Sequence, residues 1–169
     1  MSNRFSYLLD KIRGAEFSFE PFEHIAISNF FNDDDLAELL ELDQIKLRQC
    51  EDLGQLIYEL HDQKFEPIVF PGSITSEKKY IEFADKGNFN RRLIQGYGRK
   101  VIGGYGITYR LTEYHSNLLS DLMDLFEGED LTSLVREKFE IELPTSYEGG
   151  VQKNLCGYEI SPHPDTSRK

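Results

Sequence analysis

The stretch GVQKNLCGYEISPHPDTSRK, Gly150 to Lys169, decides how the rest of this chain is read. It carries one His-x-Asp step, His163 and Asp165, at the end of a run in which apolar and polar residues alternate. On an extended chain, residues two apart point the same way. An imidazole nitrogen and a carboxylate oxygen then face one point in space. They are two of the three donors in the facial arrangement that holds non-haem Fe(II) and leaves coordination positions open. With four His and twelve Asp in 169 residues, about 0.3 such steps arise by chance, so the motif takes its weight from its surroundings.

Those surroundings suit a ligand pair. Pro162 and Pro164 bracket the histidine. Proline donates no N–H to a ladder, which puts the segment at a sheet edge or strand end. Upstream, Leu155, Cys156, Tyr158 and Ile160 are strand-forming, and Gly157 permits a bend or a close approach. The competing reading is a proline-rich turn closed by the Asp165 carboxylate.

Composition narrows the classes. A chain of 169 residues is one domain or most of one. Twelve Phe, nine Tyr and no Trp fit a β-rich, aromatic core. The formal charge of −11 repels phosphate backbones, so nucleic acid is a disfavoured partner. Cys50 and Cys156 stand far apart, outside any CxxC pattern, and give neither a disulfide framework nor a zinc site. No apolar run approaches membrane-spanning length, and the N-terminus lacks a signal-peptide core. The expectation is a reduced, cytoplasmic protein without a membrane span.

Along the chain, Phe5, Leu8, Leu9 and Ile12 fall at helical spacing. Ile25 and Ile27 alternate with small or polar residues and predict a strand that starts at His24. Asn32, Asp33 and Asp34 are a helix start rather than a calcium loop, followed by an expected apolar stripe of Leu36, Leu39 and Leu40. Leu53, Leu56, Ile57 and Leu60 mark a second helix, with His61 where its dipole favours a cation. Residues 65–70 read as a strand. Residues 73–112 read as a β region, with Tyr80, Ile81 and Phe83 in one strand and Val101 to Leu111 in a hairpin. That hairpin puts Tyr105, Ile107, Tyr109 and Leu111 on one face. Its glycines match no phosphate-binding loop. Arg91, Arg92, Arg99, Lys100 and Arg110 concentrate positive charge in an acidic chain, as solvated hairpin ends or as the edge of an anion pocket. Thr112 and Glu113 are placed to start a helix with Tyr114, Leu118, Leu122, Leu125 and Phe126 on its buried side, ended by Gly128. Leu131, Leu134, Val135 and Phe139 mark one more. Helices segregated against a mostly antiparallel sheet are an α+β pattern.

Two segments together resemble a family. Pro-Phe-x-x-x-x-Ile-x-x-Phe-Phe, Pro21 to Phe31, precedes an acidic helix start. Tyr-x-x-x-Pro-His-Pro-Asp spans Tyr158 to Asp165. The combination resembles the Fe(II)- and 2-oxoglutarate-dependent oxygenases of the prolyl-hydroxylase-like type. The resemblance implies a double-stranded β-helix (jelly-roll) core with helices packed on one sheet. It implies His163 and Asp165 as iron ligands and Tyr158 facing the 2-oxoglutarate pocket. The implied reaction oxidises an unactivated C–H bond of a small-molecule or protein substrate, with succinate and CO2 as co-products.

The family also uses a second histidine and a basic residue that holds the far carboxylate of 2-oxoglutarate, both on strands after His-x-Asp. His24, His61 and His115 precede the motif, and Arg168 stands too close to Asp165. The expectation that follows is a single oxygenase-like domain over 1–169 that lacks its last strands. Two other classes compete. One is a non-catalytic β-rich protein-interaction domain with an acidic surface. The other is a cupin-like metal site that recruits His61 or His115.

Overall fold

In the computed structural model, the described residues are 3–46, 52–68, 76–85 and 107–155. They hold six helices and two small antiparallel sheets, an α+β composition. The chain divides into two compact units, each assembled from separated stretches.

The first unit takes in Met1–Leu47 and Tyr114–Gly150. Helix α1 (Tyr7–Gly14) forms where the apolar spacing predicts it and buries Leu8 and Ile12. A two-residue strand β1 (Phe17–Ser18) pairs antiparallel with β2 (His24–Ile25). The strand expected through Ile27 therefore stops at Ile25. Helix α2 (Asp33–Glu41) is capped by Asn32, whose side chain accepts from the Asp35 N–H at 2.7 Å. Its apolar stripe differs from the expected one. Leu39 is buried, while Leu36 and Leu40 are 42% and 55% exposed. Asp35, one turn before Leu39, takes the inner position instead.

Helix α5 (Asn117–Glu127) starts later than Thr112 because Ser116 caps it, accepting from the Leu118 N–H at 3.2 Å. His115 lies before the helix rather than in its first turn, and its backbone N–H donates to the buried Gln44 side chain at 2.9 Å. Gly128 ends α5 and caps α6 (Glu129–Lys138). The unit's core forms where Ile12 of α1 meets Leu131 and Leu134 of α6, with Leu9, Ile25, Ile27, Phe30, Phe126 and Val135 packed around them. Phe17 stands edge-on to Phe139 at 5.1 Å, and the Lys138 ammonium donates to the carbonyls of Arg13 and Ala15.

The second unit takes in Arg48–Glu113 and Val151–Lys169. Asp52 caps α3 (Leu53–Asp62) by accepting from the Gln55 N–H at 2.9 Å, and the helix buries Ile57 and Leu60. Lys64 turns the chain with φ of 68°, and its carbonyl accepts from both the N–H and the hydroxyl of Thr112 at 2.9 Å. Strand β3 (Phe65–Ile68) follows.

Helix α4 (Glu77–Asp85) corrects the expectation of a strand through Tyr80, Ile81 and Phe83. Glu77, Lys78, Lys79, Glu82 and Ala84 are good helix formers, and the adjacent Tyr80 and Ile81 break the alternation a strand needs. The Tyr80 N–H donates to the Ser76 carbonyl at 2.9 Å, one helical turn back, and Tyr80 is fully buried. Strands β4 (Thr108–Leu111) and β5 (Gln152–Asn154) complete an antiparallel sheet of order β3-β4-β5. The remainder of the expected hairpin, with Tyr105, Arg91, Arg92, Arg99 and Lys100, lies outside the described residues. No described helix is long and apolar enough to cross a membrane.

Candidate functional site

The segment expected to carry the ligands follows β5 in the sequence. Register pairs Thr108 with Asn154, Tyr109 with Lys153 and Arg110 with Gln152. The pairing runs one residue further, where the Leu155 N–H donates to the Ile107 carbonyl at 3.0 Å. The strand β5 thus lies in the polar residues just before Leu155, while Cys156 and Ile160 of the expected apolar run lie outside the described residues. Tyr158, His163 and Asp165 lie outside the described residues.

The β3-β4-β5 sheet has two unlike faces, because side chains alternate along each strand. One face is apolar. Phe65, Tyr109, Leu111 and Leu155 are buried on it, as the alternation of Ile107, Tyr109 and Leu111 predicts for a core surface. The Lys153 ammonium lies 4.6 Å from the Phe65 ring centroid and donates to the Gln63 side chain at 3.2 Å. One polar cluster sits against this face. The Tyr109 hydroxyl donates to Glu77 Oε1 at 2.6 Å, and His61 Nε2 lies 2.7 Å from the same oxygen. The imidazole stands edge-on to the Tyr109 ring at 5.9 Å. Burial first, then the hydrogen bond to the Glu77 carboxylate, pushes the Tyr109 phenol well above its ordinary value. His61 is thus held by Glu77 as well as by its place in the last turn of α3.

The other face is polar. Thr108 and Arg110 of β4 share it with Glu66 and Ile68 of β3 and with Gln152 and Asn154 of β5. The Thr108 hydroxyl donates to Asn154 Oδ1 at 2.8 Å. Arg110 Nε is buried and has no acceptor among the described residues.

A second polar centre lies in the first unit and was not foreseen. Asp35 is 4% exposed. Its carboxylate accepts from Arg4 Nε at 2.7 Å, the Tyr7 hydroxyl at 2.8 Å and Asn32 Nδ2 at 3.0 Å. Burial alone would raise its pKa. The Tyr7 and Arg4 hydrogen bonds, the Arg4 charge and Asn32 outweigh burial and hold the carboxyl below its ordinary range. Burial, and the carboxylate it serves, raise the Tyr7 phenol against the opposing Asn32 N–H. The one local signal was the spacing of Asn32 and Asp35, where Asn32 Oδ1 accepts from the Asp35 N–H and its Nδ2 donates to the Asp35 carboxylate. All the donors around Asp35 are spoken for by a structural role.

Of the histidines outside the expected motif, His61 has one carboxylate beside it, Glu77. His24 Nδ1 lies 2.7 Å from the Phe22 carbonyl, a strand histidine as expected. Among the described residues, no three His, Cys, Asp or Glu side chains converge as a metal site. A cleft of about 440 Å³ in the first unit is lined by Glu127, Glu129 and Glu148 with Thr132, Thr145, Ser146 and Tyr147. Its carboxylates repel a dicarboxylate, so it is no seat for 2-oxoglutarate. Compared with family models, curated proteins and solved structures, the chain matches none of them.

Proposed function

We propose that the protein is an Fe(II)- and 2-oxoglutarate-dependent oxygenase, with the β3-β4-β5 sheet as part of a double-stranded β-helix. The observation that carries this reading is the Pro-His-Pro-Asp step within Tyr158 to Asp165, which follows β5 in the sequence. An imidazole nitrogen and a carboxylate oxygen are donors that suit Fe(II). His163 and Asp165 would hold the metal, and Tyr158 would face the co-substrate. Bound iron would supply the oxidation of a substrate C–H bond, coupled to decarboxylation of 2-oxoglutarate. The chain's own part is to orient the ligands and exclude water. Antiparallel pairing through Leu155, and the buried Tyr109, Leu111 and Phe65, support this reading as a packed sheet just before the ligand residues in sequence.

Protein expressed from its complete gene should bind Fe(II) and convert 2-oxoglutarate to succinate and CO2. His163→Ala and Asp165→Ala should each abolish both. Neither binding nor conversion by protein with both residues intact would end this reading in favour of a non-catalytic interaction domain.

A further inference from the structure

We propose that the polar face of the β3-β4-β5 sheet is a carboxylate-binding site built on Arg110. The proposal stands independently of the oxygenase reading, because it rests on a donor that this fold leaves unused. Arg110 is half-buried at the centre of the face, on the middle strand, and its buried Nε–H has no acceptor among the described residues. A buried donor left unpaired is costly, and native proteins leave few of them. Its cross-strand neighbour on β3 is Glu66, which is exposed and forms no ion pair with it among the described residues. Proximity in register therefore has not neutralised the guanidinium.

The neighbours on β5 add donors. Gln152 lies directly across from Arg110. Asn154 has its Oδ1 occupied by the Thr108 hydroxyl, which leaves its Nδ2 hydrogens to give. A guanidinium edge offers two parallel N–H groups at the spacing of two carboxylate oxygens, and a planar carboxylate is the anion that uses both at once. Flanking carboxamides complete such a site without a second positive charge. Glu66 is the one opposing charge on the face, and its exposure lets it turn to solvent. The ligand class is a small organic acid or the carboxylate of a larger substrate.

The test follows the Arg110 Nε–H proton and nitrogen resonance in the metal-free, unaltered chain as succinate is added, with sodium chloride at matched ionic strength as the reference. A saturable shift with succinate and not with chloride is expected. Arg110→Gln should weaken binding about ten- to a hundredfold, the loss of a charge-assisted hydrogen bond. Arg110→Lys should retain part of it. Titration with 2-oxoglutarate separates two sources of the carboxylate. Competition with succinate would assign the site to the co-substrate, and succinate binding without competition would assign it to the acid group of another substrate. An Arg110 resonance that carboxylates move no more than chloride does would overturn the proposal. So would an Arg110→Gln chain that binds succinate as well as the unaltered one. If that variant does not fold, Gln152→Ala and the resonance of the unaltered chain decide. Iron and turnover play no part, so failure here is distinct from failure of the oxygenase reading.

Discussion

Asp35 concentrates much of the polar chemistry that holds the first unit's N-terminal segment. Its carboxylate collects donors from Arg4, Tyr7 and Asn32, and Arg4 also reaches Glu38 at 2.6 Å. Replacing one member of such a set leaves the others unpaired, which costs more than the bonds themselves gain. Asp35→Ala should destabilise the chain by about 2–3 kcal/mol and Tyr7→Phe by about 1 kcal/mol, as measured by urea denaturation. The pH dependence has a definite sign. The folded carboxyl titrates below its unfolded value of about 4, so the unfolded chain takes up the proton first on acidification. The contribution of Asp35 is complete above about pH 4 and is lost as pH falls through the lower folded value. A wild-type and Asp35→Asn pair that lose stability in parallel below pH 4 would refute this account.

At the scale of elements, α2 and the α5–α6 junction give contrasting cases. On α2, two adjacent leucines differ in exposure, Leu39 inside and Leu40 more than half exposed. Leu39→Ala should cost about 2–4 kcal/mol. Leu40→Ala should fall within about 0.5 kcal/mol of wild type. Equal losses in chemical denaturation would mean that the exposed stripe is covered. At the junction, a Cβ on Gly128 would sit 2.8 Å from the Asp124 carbonyl oxygen, backbone that cannot swing aside. Its φ of −73° is open to any residue, so the close approach alone demands glycine there. Gly128→Ala should cost about 1–3 kcal/mol, visible as a lower thermal midpoint. An unchanged midpoint would show that α5 and α6 can part at no cost.

For the whole molecule, thirty acidic side chains against nineteen basic ones leave net self-repulsion. Raising ionic strength from about 0.01 M to 0.15 M shortens the screening length from about 30 Å to 8 Å. The thermal midpoint should therefore rise with sodium chloride. A fall would mean that screened attractions such as Arg4–Glu38 outweigh the repulsion. Charge, the helices α1, α3, α5 and α6, and the α+β class were all legible in the sequence. Each depends on composition or on apolar spacing within a few turns, and such spacing is local. The His163 and Asp165 step rests on the same kind of local spacing, two residues apart, and lies outside the described residues. Tertiary structure decided what local spacing leaves open. It buried Tyr80 against the second unit's core on a helix, residues 77–85, where its aromatic, strand-favouring side chain had suggested a strand. It chose Asp35 over Leu36 for the interior, because Arg4 and Tyr7, some thirty residues away, offset the cost of burying a carboxylate. It also placed Arg110 on the polar face of a sheet whose strands lie more than forty residues apart in sequence, a pairing that no local pattern encodes.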